Sequence, residues 1–248
     1  MMRVFRVAMV LLVAGWYVAP VLAQAPAEAL PSVDQVLDRY VAALGGKAAI
    51  EKITTRVAKG TFELPDQGVV GTYEAFAKAP NKSGSEIQFE GFGVVRQGFD
   101  GTVGWAESPQ AGLREMAGQE LSNTRRNAEF HQPLKLRELF PKMSVKERRQ
   151  VGMRDAYVLE ADPGDGSMRW MYFDAESSLL VQVENEWDTP QGRIKSEVLF
   201  EDYREVDGVK VAFVIRQSNP NIRFVIQLSD VRHNVEVDEA KFKKPASP

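Results

Sequence analysis

The chain contains no cysteine. No disulfide can staple it, no thiolate can ligate a metal, and no lipid-bearing cysteine can anchor it. Histidine is almost as scarce, with His131 and His233 the only two. No HExxH helix and no GxSxG nucleophile turn is present. Positive charge is not in excess either: 31 basic side chains stand against 34 acidic ones, a formal net charge of −3. Nucleic acid is therefore excluded as a partner, because phosphate binding needs concentrated positive charge. After residue 23 no apolar run is long enough to cross a bilayer as a helix. Alternation of strand and helix is missing too, which argues against Rossmann and barrel enzymes. No cofactor and no metal site is expected.

What is present begins with a leader. Arg3 and Arg6 precede an apolar run from Val7 to Ala23, which ends in Val21-Leu22-Ala23 before Gln24. A positive start, a hydrophobic stretch and small residues at the end describe a secretory signal peptide, residues 1–23, cut after Ala23. A retained anchor fits less well, since the run is short and Pro20 interrupts it. Residues 24–31 read as an Ala/Pro-rich lead, 32–244 as one domain and 245–248 as a tail.

Ser32 and Gln35 have capping-box spacing. Val33, Val36, Leu37, Tyr40, Val41 and Leu44 follow at helical spacing, and Gly45-Gly46 ends the helix. A short second helix is expected over 47–53. From Thr54 the period becomes two. Strands are expected over 57–64, 69–78, 85–98 and 103–106, with Asp100-Gly101 as a hairpin turn. Residues 109–140 lose the alternation. They read as a helical insertion, interrupted by Pro133 and stopped by Pro141, that covers one sheet face. Strands resume over 145–151, 156–161, 167–174, 179–187, 195–203, 209–217 and 222–234. The expected fold is mainly β: a single large, curved antiparallel sheet, an incomplete β-barrel of about 9–11 strands, with helices covering its concave face. Several strands are apolar on both sides. Met168, Trp170 and Tyr172 alternate with Met171 and Phe173, and Phe224, Ile226 and Leu228 with Val225, so neither face is simply open to water.

Five stretches carry a family likeness. They are Thr54–Leu64, Phe99-Asp100-Gly101-Thr102-Val103-Gly104-Trp105, Tyr172-Phe173-Asp174-Ala175-Glu176-Ser177-Ser178-Leu179-Leu180, the run from Glu201 to Lys210, and Val237-Asp238-Glu239-Ala240-Lys241-Phe242. With the leader and first helix, they resemble the LolA/LolB-like lipoprotein-carrier superfamily and its outer-membrane lipoprotein-sorting homologues. The likeness spans nearly all of the chain after the leader and consists mostly of strand and turn grammar. It implies a periplasmic, non-catalytic carrier whose apolar concave face, closed by a movable helical lid, takes up a lipid or the acyl chains of a protein. An inner-membrane donor and an outer-membrane acceptor protein are the partners it implies. The candidate ligand-binding residues are Val94, Trp105, Leu134, Leu136, Leu139, Trp170, Tyr172, Val181 and Phe224. A slip of one residue would move any strand member of this set to the other face.

Two other readings stand beside the carrier. The same fold with a filled interior would serve as a cell-envelope interaction or structural protein. A hydrolase would need a base and a nucleophile. His131 lies in the proposed lid, and His233 is expected to face solvent. Asp100, Asp165, Asp174, Asp207 and Asp238 fall at turns, where aspartate bonds its own backbone. Arg125-Arg126 and Lys146-Glu147-Arg148-Arg149 read as solvated surface.

Overall fold

The structure is a computed structural model that describes residues 29–189 and 192–246. The leader expected over 1–23 lies outside the described residues. Among the described residues no helix is long and apolar enough to cross a membrane.

Helix α1 (Val33–Ala43) starts at the expected capping box. The Ser32 hydroxyl accepts from the Gln35 amide, and Gln35 Oε1 accepts from the Ser32 amide. Its apolar stripe buries Val36, Leu37, Tyr40 and Leu44. Gly45, with φ of 123°, ends it. A Cβ there would lie 2.0 Å from the Gly208 carbonyl oxygen, so glycine is required for this close approach. Helix α2 (Lys47–Glu51) follows.

Six strands then run outward as a meander: β1 (Thr55–Leu64), β2 (Val69–Lys78), β3 (Lys82–Phe89), β4 (Gly93–Phe99), β5 (Gly104–Ser108) and β6 (Gly112–Glu115). Helices α3 (Gly118–Ala128) and α4 (Gln132–Leu139) come next. Seven strands return: β7 (Lys142–Val151), β8 (Arg154–Asp162), β9 (Met168–Asp174), β10 (Leu180–Thr189), β11 (Gly192–Val206), β12 (Val209–Asn219) and β13 (Ile222–His233). All pair antiparallel, and β13 joins β1. The result is one 13-stranded sheet in the order β6-β5-β4-β3-β2-β1-β13-β12-β11-β10-β9-β8-β7. It does not close. Its two edges, β6 and β7, are linked through the chain by α3 and α4.

The mainly β, unclosed antiparallel sheet with packed helices is the expected architecture. The strand count is higher for local reasons. The single strand expected over 85–98 is a hairpin, turned by Gly91 and Gly93, whose φ values are 78° and 97°. Residues 112–115 pair with β5 as a further short strand. Pro133 does not interrupt a helix. It sits in the first turn of α4, where its missing N–H costs nothing. The hairpin turn at Asp207-Gly208 is as expected, with positive φ at both residues.

The pairing register sorts every strand residue onto one of two faces. Arg56, Ala58, Gly60 and Phe62 of β1 share a face with Tyr73, Ala75 and Ala77 of β2, Ser83, Ser85 and Ile87 of β3, and Gln97 and Phe99 of β4. On the other side of β1 the same face carries Ile226 and His233, then Ile215 and Gln217, Val198 and Phe200, Val183 and Asn185, and Met171 and Phe173. This is the helix-covered face. Over β8 to β12 it carries the main core: α1, α2 and α4 bury Tyr40, Leu136, Phe140, Leu159, Met171, Phe173 and Val183 in one cluster. Tyr40 meets Phe173 edge-on at 5.0 Å between ring centres.

The opposite face explains the apolar residues on both sides of the strands. Over β1 to β5 it is covered by the C-terminal segment. Phe242 is fully buried, the Trp105 indole donates to its carbonyl at 2.8 Å, and Glu239 pairs with Lys78 and Lys82. Over β8 to β10 a small cluster of Ala156, Val158, Tyr172 and Val181 fills it.

Candidate functional site

The helix-covered face holds two open cavities that meet at α3. The first, about 420 Å³, is lined by Arg56, Ala58, Tyr73, Ala75, Ser85 and Gln97 from β1–β4 and by Met116, Thr124 and Asn127 from α3 and its approach. The second, about 410 Å³, lies between α1, α3 and α4 on one side and β9–β12 on the other. Tyr40, Pro133, Leu136, Arg169, Met171, Val183, Trp187, Val198 and Phe200 line it. Asn127 belongs to both walls. Both volumes fall in the range of small-ligand sites, roughly 300–1,000 Å³.

Beside the first cavity, beyond the reach of the helices, lies an aromatic strip. Phe62 stacks on Phe224 at 4.7 Å and meets Phe89 edge-on at 5.8 Å. Phe224 and Phe89 stay partly exposed.

The nine candidate residues divide between the faces. Leu136 is buried in the core cluster and lines the second cavity, while Leu134 and Leu139 of α4 pack at the cluster's margin. Phe224 belongs to the aromatic strip on the same side. Val94, Trp105, Trp170, Tyr172 and Val181 lie on the opposite face, away from the helices. Val94 pairs with Gln88 and Trp105 with Gly98, one residue out of phase with Gln97 and Phe99. Trp170 and Tyr172 are out of phase with Met171 and Phe173. Their polar atoms are tied outside, Trp170 to Glu160 at 3.3 Å and the Tyr172 hydroxyl to Glu184 at 2.7 Å. Burial and the bond to Glu184 raise the Tyr172 phenol well above its ordinary value. The two phases of β9 are equally apolar, so the choice was made by α1 docking on Phe173, which no local pattern records.

The groups that periodicity passed over are basic. Arg56 is in phase with Ala58 and Phe62, and Arg169 with Met171 and Phe173. A charge in the apolar phase of a strand was the available signal. Arg169 donates to Asn185 Oδ1 at 2.7 Å and Asn127 Oδ1 at 3.1 Å, and lies 5.2 Å over the Phe140 ring. Burial, with Arg126 nearby, lowers its pKa to about 10. Burial also lowers Arg56 from its ordinary value and pushes the Tyr73 phenol up to about 12.

His233 does not face solvent. Its side chain is fully buried. Nε2 accepts from Arg56 Nε at 3.1 Å, and Nδ1 lies 3.2 Å from Asp207 Oδ2. Burial, then the neighbouring Arg56, lowers its pKa. An acid–histidine pair of this kind would orient a catalytic base, but the outer nitrogen here is taken by a guanidinium rather than a hydroxyl. His131 Nε2 bonds the Ile53 carbonyl at 2.9 Å, fixing the start of α4 to the α2–β1 connection. Among the described residues no group of three or more His, Asp or Glu side chains is placed to hold a metal. Four turn aspartates bond backbone amides as expected: Asp100, Asp165, Asp174 and Asp238. Arg126 is not solvated surface. It is paired with Asp165 at 2.6 Å and mostly buried.

No family model and no curated protein matches the chain. Solved structures do. A DUF1329 family protein from Desulfovibrio piger is 13% identical with a TM-score of 0.57, over 85% of this chain and 97% of that one. A domain described as an outer membrane lipoprotein-sorting protein, from Vibrio parahaemolyticus, is 14% identical with a TM-score of 0.56, over 85% and 97%. A LolA superfamily protein from Nitrosomonas europaea is 12% identical with a TM-score of 0.56, over 87% and 99%. This likeness is one of fold. The unclosed sheet with helices on one face is the architecture shared with these proteins.

Proposed function

We propose that this protein is a non-catalytic periplasmic carrier that holds a lipid or acyl chain between its sheet and α3–α4. The observation that carries the reading is the incomplete filling of the helix-covered face. Each half keeps an open cavity, the one over β9–β12 beside a packed core and the one over β1–β4 beside a partly exposed Phe62–Phe224–Phe89 strip. Burial supplies the affinity: each methylene removed from water contributes about 0.8 kcal/mol, so a 14-carbon chain gains on the order of 10 kcal/mol before ordering costs. The leader-like residues 1–23 and the fold shared with a lipoprotein-sorting domain support export and a carrier role. In this reading residues 32–244 form the working domain, an inner-membrane donor loads it and an outer-membrane acceptor empties it. Release follows if α3 and α4 shift and refill the cavity.

The core cluster packed under α1 and α4 favours a second reading, a filled envelope interaction module. Native mass spectrometry of protein purified from its own periplasm, followed by solvent extraction, separates the two. A bound, defined lipid is expected. An empty protein that also ignores fluorescent fatty-acid probes would overturn the carrier reading and favour the interaction module.

A further inference from the structure

The walls of the two cavities contain two arginines and no aspartate or glutamate. Arg56 stands in the first and Arg169 in the second. Neither has an ion-pair partner among the described residues. Arg169 is held by two asparagine oxygens. Arg56 is held through Nε alone, by His233 Nε2. Its two terminal amino groups have no hydrogen-bond partner among the described residues and keep some accessible surface, and the residue lines the first cavity. Buried charge is ordinarily paired, because removing an ion from water costs more than most contacts return.

The choice of His233 as the holder matters. Arg56 always carries its Nε proton, so His233 Nε2 must present its lone pair, and the proton of the neutral ring sits on Nδ1 toward Asp207. The ring fixes the guanidinium without cancelling its charge, which a carboxylate in that place would do. The Phe130 ring, 5.8 Å from the guanidinium centre, backs it on another side. The fork of four N–H donors is thus fixed, positively charged and offered to a cavity bordered by Tyr73, Ser85 and Gln97. That is the arrangement that recognises a carboxylate or a phosphate by paired hydrogen bonds.

We propose that the cargo is an amphiphile with an anionic head group, a carboxylate or phosphate, held by the Arg56 guanidinium in the first cavity with its chain along the apolar surface beside it. Arg169, across Asn127, adds positive charge in the adjoining second cavity. This rests on the carrier reading and specifies its ligand class.

The test uses the mature protein and four probes: myristate, tetradecyl phosphate, 1-tetradecanol and inorganic phosphate, with binding measured by calorimetry. Myristate or tetradecyl phosphate is expected to bind at least tenfold more tightly than 1-tetradecanol, and inorganic phosphate far more weakly than either. Arg56→Gln is expected to remove that preference while leaving tetradecanol binding within about twofold, and Arg56→Lys to retain part of it. Equal binding of myristate, tetradecyl phosphate and tetradecanol by the unmodified protein would overturn the head-group inference and leave the carrier reading standing. Inorganic phosphate binding as tightly as tetradecyl phosphate would overturn the amphiphile and indicate a free-anion site. Failure of every long-chain probe to bind would overturn both readings. The preference of the unmodified protein decides the question even if Arg56→Gln does not fold.

Discussion

The two halves of the sheet meet the same helical layer with different residues. Over β8–β12 the helix-covered face offers Leu159, Met171, Phe173 and Val183, buried against α1 and α4, with the second cavity beside them. Over β1–β4 the same face offers Ala58, Ala75, Ala77, Ser83 and Ser85, and what faces them across the gap is α3, with Thr124 and Asn127. Large apolar groups draw helices down into close packing, which holds around Phe173 and stops at the second cavity. Small and polar ones leave a gap that the helix spans without filling. One fold thus joins a half built around a large packed core to a half whose cavity is lined by small and polar side chains.

The comparison breaks most severely at Leu136, which belongs both to the core cluster and to the second cavity beside it. Leu136→Glu places a carboxylate among Tyr40, Phe140 and Met171. It should cost more than about 4 kcal/mol, seen as loss of the cooperative unfolding transition or of soluble protein. The next largest effect is expected at Phe173, 1% exposed and packed on Tyr40. Phe173→Ala should lower the unfolding free energy in urea by about 3–5 kcal/mol.

A substitution in the open half should behave the opposite way. Ser85 lines the first cavity and makes no side-chain hydrogen bond among the described residues. Ser85→Leu should change stability by no more than about 0.5 kcal/mol while weakening long-chain ligand binding severalfold. A loss of stability as large as that of Phe173→Ala would mean that this half is packed after all.

The smallest effect concerns pH. His233 has a pKa below its ordinary 6.5 because it is buried beside Arg56. Between that lowered value and 6.5 the folded state binds fewer protons than the unfolded one, so stability rises with pH across the window and is lost as pH falls through it. For one proton the slope stays under about 1.4 kcal/mol per pH unit. Urea unfolding between pH 5 and 7 should show this slope, and His233→Gln should flatten it. Protonated His233 can no longer accept from Arg56, so acid should also loosen the guanidinium.

What the sequence disclosed, and what it did not, follows the same division between local and tertiary causes. The capping box at Ser32 and Gln35, the stripe of α1 and the Asp207-Gly208 turn were all legible, because each depends on residues a few positions apart. The unclosed antiparallel sheet was legible from the succession of strands and turns. The face of β9 was not. Trp170 and Tyr172 are as apolar as Met171 and Phe173, and only the docking of α1 decides between them. Trp105 lies on the opposite face for a related reason: the C-terminal segment, far away in the chain, covers it there. Arg56 and Arg169 fall outside any apolar pattern because they are charged, although their phase within β1 and β9 places them on the helix-covered face.

The central claim is that ligand enters the first cavity of the helix-covered face, and the methionines report on it directly. Met116 lines the first cavity, Met171 faces the second, and Met153 is 96% exposed in the β7–β8 turn. In the protein carrying 13C-methyl methionine, titration with myristate should shift the Met116 methyl resonance most, Met171 less and Met153 not at all. Saturating myristate that leaves Met116 unmoved, or moves Met153 alone, would contradict it.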